Sequence, residues 1–446
     1  MSSPTNFPQI KTMVDFKPFR AWHYNPDKIK FQNVIAPPYD IISGEKQKDL
    51  YARSPYNCIR LILNREEGGD SESQNRYTRA RDFFEVWRRE NILIQDQNPH
   101  FYLYGQTFED PRDGSFRKRF ALLGCLRLEA FEKGVVIPHE KTLAKPREDR
   151  RKLLDATHAN FSPVFGLYED AENKLAACFS RVTQSSPYLD VTDEEKVQHA
   201  LWMIDDPKTI REIQNRLSQN KIFIADGHHR YQTALDYARD KHLQEGISSE
   251  TFMPYDFRLT ALVEFNDPGL VLLPTHRILS AWPGFDLSRA LDTLAEFFKI
   301  EECPAEMLDE KIKYPAGEGE ISFGLITEKG SYFLSLSEPE NAIKAMGLHK
   351  PAVWYKVDVN LLSELVLKFC WKFPPERLET LVQYTRSPGE ARASVQQGKS
   401  IAAFLLKPPR VDALREMGKV HELMPQKSTY FFPKLASGLV FYHHDS

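Results

Sequence analysis

The chain has 446 residues, 41% of them apolar and 27% charged, a soluble-globular composition with material for more than one hydrophobic core; it excludes a disordered or fibrous protein. With 59 basic and 62 acidic residues the formal charge is −3, so the overall balance gives no pull toward nucleic acid or an anionic membrane. No apolar run reaches membrane-spanning length, MSSPTNFPQIKTMVDF has no leader pattern, and the 5 cysteines are scattered without a C-x-x-C pair, so a cytoplasmic protein without a disulfide frame or zinc site is expected.

In chain order, residues 16–43 begin with basic and aromatic residues and predict a short strand stopped by Pro37-Pro38, which present Tyr39 and Asp40 on a stiff loop. NCIRLILN (57–64) alternates like a strand, and 74–93 carries apolar residues at helical spacing. HFYLYGQTF and RFALLGCLRLEAF flank the turn-like EDPRDGS and predict an antiparallel hairpin. Residues 134–169 read as a strand, a polar loop, a strongly charged helix and a second strand. KLAACFSRVTQ predicts a helix and 188–204 two strands. In DDPKTIREIQNRLSQN, an acidic start and a first-turn proline precede Ile210, Ile213 and Leu217 on one helix face.

KIFIADGHHRYQTALDYARD (221–240) is a strand running through a tight turn into a helix. Residues 255–279 predict two strands around Asp267-Pro268-Gly269, closing on Thr275-His276-Arg277. Residues 285–370 read as a smaller α+β lobe without a catalytic cluster, and the remainder as a buried strand, a short helix and an aromatic tail ending in a strand. The expected fold class is α+β, multilobed with mixed sheets: an N-terminal α/β lobe over 1–130, a catalytic core over 131–280 and a C-terminal α+β lobe over 281–446.

Three clusters carry chemistry. In FIADGHHRYQTAL the free amides and dipole of a helix N-terminus favour an anion; Gly227 permits close approach, His228 and His229 add donors, and Arg230 offers a planar fork. The same residues also read as a helix cap at Asp226 with a surface Arg230 pair, or as a metal site, although adjacent histidines lack the i, i+4 spacing of a shared ion. In PHEKTLAKPREDRRKLL, His139 and Glu140 follow a strand and precede Thr142, Lys145, Arg147 and Arg150. A carboxylate there can orient a hydroxyl while the bases hold an anion, whereas the residues after Glu148 also fit a solvated face of i, i+3 and i, i+4 ion pairs. MPQKSTYFFPKLASGLV gathers Lys427, Ser428, Thr429, Tyr430 and Lys434, and LPTHRIL offers His276 and Arg277; each reads as a binding loop or as an ordinary strand end.

APPYD, PHEKT, KPREDRRKLL, ANFSPVFGLY, ADGHHRYQTAL, LLPTHRIL and MPQKSTYFFPKLASGL, in this order from residue 16 to about 441, resemble domain-of-unknown-function family number one thousand and fifteen. The PHE and DGHHR pair is also similar to the core of the free-serine kinases, which share the ParB/sulfiredoxin-like fold. This resemblance implies a phosphotransferase making O-phosphoserine from free L-serine, with pyrophosphate or a nucleotide as donor and magnesium (Mg2+) as cofactor. It places Asp226 and Glu140 on the serine hydroxyl and Gly227, His228, His229 and Arg230 on phosphate. Weaker substrate contacts fall on His139, Thr142, Arg150, His276, Arg277, Lys427, Thr429 and Lys434. Departures from the compact nucleoside-diphosphate kinases are the N-terminal arm, about 80 residues between the two motifs, and the C-terminal lobe. No nucleic-acid or membrane partner is expected, and the sequence leaves the oligomeric state and metal ligands open. The alternatives are an O-phosphoserine phosphatase using the same groups, a ParB-like nucleotide- or DNA-binding regulator, and an amino-acid sensor without turnover.

Overall fold

In the computed structural model, residues 13–140, 142, 144–248, 250–313 and 320–445 are described. They form a mixed α+β protein with several sheets, divided into two compact units. The first is built from the described residues of Met1–Pro138, Thr142–Val271 and Pro433–Ser446, the second from those of His139–Lys141 and Leu272–Phe432.

The first unit is organised by a nine-stranded sheet. Its central hairpin, Phe101–Glu109 with Phe116–Arg127, is antiparallel, and Phe257–Glu264 pairs with the second arm, again antiparallel. Beyond it, Val164–Tyr168 runs parallel to Phe257–Glu264 and antiparallel to Ile222–Asp226, which runs parallel to Val136–Ile137. These strands read as near-continuous apolar runs because their side chains are buried on both faces. On the other side lie Gln198–Ile204 and Leu189–Thr192.

Helix ends in this unit follow from local chemistry. Asn75 caps Arg76–Arg89, accepting from the amides of Tyr77 and Thr78 while Thr78 reaches back to the Asn75 amide. Asp206 accepts from the Thr209 amide at the start of Pro207–Leu217, whose Ile213 and Leu217 are buried and Ile210 half-buried, as the spacing predicts.

Three expectations change. Residues 57–64 contain the helix Ile59–Ile62 instead of a strand: the Asn57 side chain accepts from the Ile59 amide at 2.9 Å and donates to the Asn33 carbonyl at 2.8 Å, which winds the backbone locally. The strand expected before Pro37-Pro38 shrinks to a single bridge, Ala36 to Ser437, with Tyr39–Ile41 a 3-10 turn. Residue 130 falls inside the first unit, because strands on both sides of it share one sheet; the tail beyond 432 also returns there, where Tyr442–His443 pairs with Ala159–Asn160.

The second unit carries a six-stranded, wholly antiparallel sheet in the order Phe298–Glu302, Gly330–Leu336, Ser322–Thr327, Ala402–Leu405, His276–Leu279, Val382–Thr385. DVNLLSELVLKFC is helical as expected, continuing from Asp358–Leu361 into a π-helical segment, Leu362–Cys370. All five cysteines are buried and outside any disulfide. Among the described residues no helix is long and apolar enough to cross a membrane.

Candidate functional site

In the first unit, the strand Ile222–Asp226 ends at the Asp226 carboxylate, and Gly227 turns the chain into the 18-residue helix His228–Glu245. Gly227 has φ of 92°, a left-handed conformation that glycine adopts without penalty, and a Cβ there would lie 3.0 Å from the guanidinium of Arg230. Glycine is therefore required twice, by the backbone and by the side chain that folds over it. No side chain caps the helix, so Asp226 is not the N-cap.

Asp226 faces two cations. Lys434 Nζ donates to Oδ2 at 2.7 Å, and Arg230 Nη2 lies 3.6 Å from Oδ1, with the Lys434 and Asp226 side chains 10% and 18% exposed. Lys434 is held in turn by its backbone, whose carbonyl accepts from Gln106 Nε2 at 3.0 Å. Arg230 is buried and donates to the Pro163 carbonyl, so its fork is directed across the unit's interior instead of lying on the helix surface. His228 is buried and His229 half-buried in the first turn of the helix. The corner thus joins a carboxylate, two cations and a helix N-terminus, an arrangement suited to placing a hydroxyl beside an anion.

The charged helix Ala144–Thr157 divides by face. Glu148 with Lys152 and Arg151 with Asp155 are i, i+4 surface pairs, as a solvated face predicts. Arg150 departs from that pattern: its side chain is 10% exposed, stacks on the Tyr39 ring at 3.9 Å, and donates to the Ile62 carbonyl at 2.9 Å. Thr142 is half-buried in the same unit.

The remaining candidates lie in the second unit. Glu140 Oε1 accepts from the Ser428 amide at 3.0 Å and from the amide and hydroxyl of Thr429, each at 3.3 Å. His139 is buried, with Nε2 3.0 Å from Thr429 Oγ1, and its carbonyl accepts from the Met424 amide at 2.7 Å. Lys427, at φ 55°, supplies the left-handed turn that aims both amides at Glu140. Arg277 donates to the carbonyls of Thr275 and Lys427, and burial pulls its guanidinium down from its usual range. Glu140 and the KST loop are thereby one constellation, with one carboxylate oxygen committed to holding the loop.

His276 is buried in the strand His276–Leu279. Its Nδ1 accepts from the Leu406 amide at 3.1 Å, and burial beside Arg277 and Arg392 pushes it down to about 4, so the ring is neutral near pH 7. A cavity of about 350 Å³ in this unit is lined by Thr275, Arg277 and Ser428 together with Lys356, Asp358 and Lys407. The last three were missed from sequence: Lys356 and Asp358 because 285–370 read as a lobe without a catalytic cluster, and Lys407 because it follows a strand read only as buried. For Lys407 the signal available was KPPR at 407–410, tandem prolines like those of the APPYD loop but here flanked by bases.

Arg258, in the strand Phe257–Glu264, is the other residue missed. Its side chain is buried and donates to the Ser162 carbonyl at 2.9 Å.

The solved structures similar to this chain include a conserved hypothetical protein from Pyrococcus furiosus, 16% identical, covering 68% of this chain and 89% of its own, with a TM-score of 0.33. They also include a free serine kinase in complex with AMP (15% identical, 67% and 83% covered, TM-score 0.34) and SbnI with C-terminal truncation from Staphylococcus aureus (8%, 71% and 85%, 0.33). A comparison with curated proteins finds no match. The family model described as "Protein of unknown function (DUF1015)" matches residues 16–360, more than half of the chain, and the chain belongs to that family.

Proposed function

We propose that the chain is a small-molecule kinase that converts free L-serine to O-phosphoserine on a ParB/sulfiredoxin-like core, with pyrophosphate as the donor. The observation that carries this reading is the Asp226 corner: a carboxylate 2.7 Å from Lys434 and 3.6 Å from Arg230, one residue before the N-terminus of a long helix. In-line phosphoryl transfer asks little covalent work of a protein; it needs an oriented hydroxyl and neutralised phosphate charge. Asp226 orients or deprotonates the acceptor hydroxyl, and the amides at His228 and His229 with the guanidinium of Arg230 take the transferring phosphate. Serine as acceptor rests on the likeness of PHE and DGHHR to the free-serine kinases. Glu140 enters as a second hydroxyl-directed carboxylate through that likeness alone. The chain has no G-x-x-x-x-G-K-[ST] loop, which favours a small donor over a nucleotide cradled by such a loop.

Magnesium is not assigned to Asp226, whose two oxygens already face Lys434 and Arg230, and no group of three metal-ligating side chains occurs among the described residues. A magnesium ion that keeps most of its waters and rides on donor phosphate oxygens needs no such group.

The test incubates the protein with L-serine, magnesium and, separately, pyrophosphate, ATP and ADP, and follows phosphoserine by phosphorus NMR. Phosphoserine is expected with pyrophosphate, and Asp226→Asn lowers its rate by about 100-fold or more, the scale of a lost acid–base group. Absence of phosphoserine with all three donors refutes the activity; unchanged turnover in Asp226→Asn refutes the site.

A further inference from the structure

Three arginines distant in sequence meet in the first unit. Arg150, Arg230 and Arg258 line a cavity of about 40 Å³, with Tyr39, Ser162 and Thr233 among the other walls. Each guanidinium is fixed by a backbone carbonyl: Arg150 by Ile62, Arg230 by Pro163 and Arg258 by Ser162. None is a surface side chain that drifts in by chance.

Their negative partners are too few. Asp149 accepts from Arg150 Nε at 2.8 Å but also from Arg76 at 2.6 Å and Tyr77 at 2.8 Å. Asp226 is shared between Arg230 and Lys434. Arg258 forms no ion pair with a described carboxylate, and its Nε is buried without a hydrogen-bond partner. Arg76 has a second partner in Glu66 at 2.9 Å, so three carboxylates serve four cations, and a fifth, the buried Arg258, has none. Burial and the neighbouring Arg230 and Arg150 push Arg258 down to about 9, the mark of a cation held among like charges. Burial raises the Tyr39 phenol from its usual range, which keeps it protonated as a donor at the wall. A buried unpaired guanidinium is costly, and an anion with several acceptor oxygens removes that cost while satisfying a planar fork.

We propose that this cavity is an anion subsite in which Arg258, Arg150 and Arg230 together hold one small oxyanion, a phosphate or a carboxylate group. Its volume exceeds what a single water needs and suits a group of a few atoms, not a nucleoside. The subsite shares Arg230 with the phosphotransfer corner, but its occupancy is a binding event that requires no turnover. A chain that binds the anion and makes no phosphoserine refutes the activity of the preceding section and keeps the subsite.

The experiment measures thermal unfolding and ligand affinity of the full chain with potassium phosphate, potassium acetate and L-serine, each against potassium chloride at equal ionic strength. At a concentration tenfold above its Kd, the preferred anion should raise Tm by about 2 °C. Phosphate acting alone identifies a phosphate group as occupant; acetate and L-serine acting alone identify a carboxylate. Arg258→Met should keep or raise the Tm in chloride, because an unpaired buried charge is removed, and should weaken the effective anion at least tenfold. Arg258→Lys, which preserves charge without the fork, should bind several-fold more weakly than the native chain and serves if the methionine variant does not fold. No response to any of the three ligands, or equal affinity in native and variant chains, overturns the proposal.

Discussion

Replacing Gly227 by alanine tests the geometry of the Asp226 corner at its tightest point. The left-handed backbone at φ 92° costs an L-residue about 1–2 kcal/mol. The new Cβ would also meet Arg230 Cζ, Nε and Nη2 at 3.0 Å, so the guanidinium must withdraw from the Pro163 carbonyl and from Asp226. Losing a hydrogen bond from a charged donor adds about 1.5–3 kcal/mol, for a total of about 2.5–5 kcal/mol in the native background. In an Arg230→Ala background the contact is already absent and only the backbone part, about 1–2 kcal/mol, remains. Urea unfolding followed by circular dichroism measures both costs, with hydrogen exchange of peptides from 222–245 assigning the transition to the first unit. Equal costs in the two backgrounds refute the Arg230 contact, and a cost below about 0.5 kcal/mol in both refutes the left-handed turn.

Lys434→Met removes the 2.7 Å partner of the largely buried Asp226 carboxylate, whose contact with Arg230 is longer, and should destabilise the first unit by about 2–4 kcal/mol; adding Asp226→Asn should restore part of it, and a urea double-mutant cycle that is additive refutes the pairing. In the second unit, burial pushes the Asp358 carboxyl up to about 6, so the folded chain holds this proton more tightly than the unfolded one. Its contribution is present at low pH and lost as pH rises from about 4 to 6, by about 3 kcal/mol. Asp358→Asn should flatten that slope relative to the native chain; identical pH profiles of stability refute the buried carboxyl.

Much of the architecture was legible because it is written in local chemistry. The hairpin of Phe101–Glu109 and Phe116–Arg127 follows from two apolar strands around a turn, and Pro207–Leu217 from a capping aspartate and a first-turn proline. NCIRLILN was misread because so short a stretch, with Arg60 interrupting its apolar residues, fits either period, and the deciding interactions are side-chain to backbone bonds from Asn57 to Asn33 and Ile59. The lobe boundary at 130 failed for a different reason. Sheet order is set by pairing between distant strands, so no composition shift marks where Phe116–Arg127 meets Phe257–Glu264 or where the tail turns back to Ala159–Asn160. In the candidate site, DGHHR identified its own strand, turn and helix, yet a partner of Asp226 lies 208 positions away at Lys434, which the sequence offered as a weaker substrate contact and not as a partner of Asp226.

The arginines show where reading charge as surface breaks down. Arg150 and Arg151 are adjacent on one helix; Arg151 pairs with Asp155 at the surface as the spacing requires, while Arg150 turns inward to Tyr39. Nothing local separates them, because the difference lies in what the rest of the unit places opposite each face. Arg258 did carry a signal. In FRLTALVE every other residue through Val263 is apolar or threonine, and the structure buries them all, so the strand interior has no solvent-facing side on which a cation can sit. An arginine inside such a strand must find carbonyls, carboxylates or a bound anion. The Ser162 carbonyl accounts for one arm of its fork, and the orphaned Nε is the donor that the proposed anion would take, which the phosphate and carboxylate titrations address.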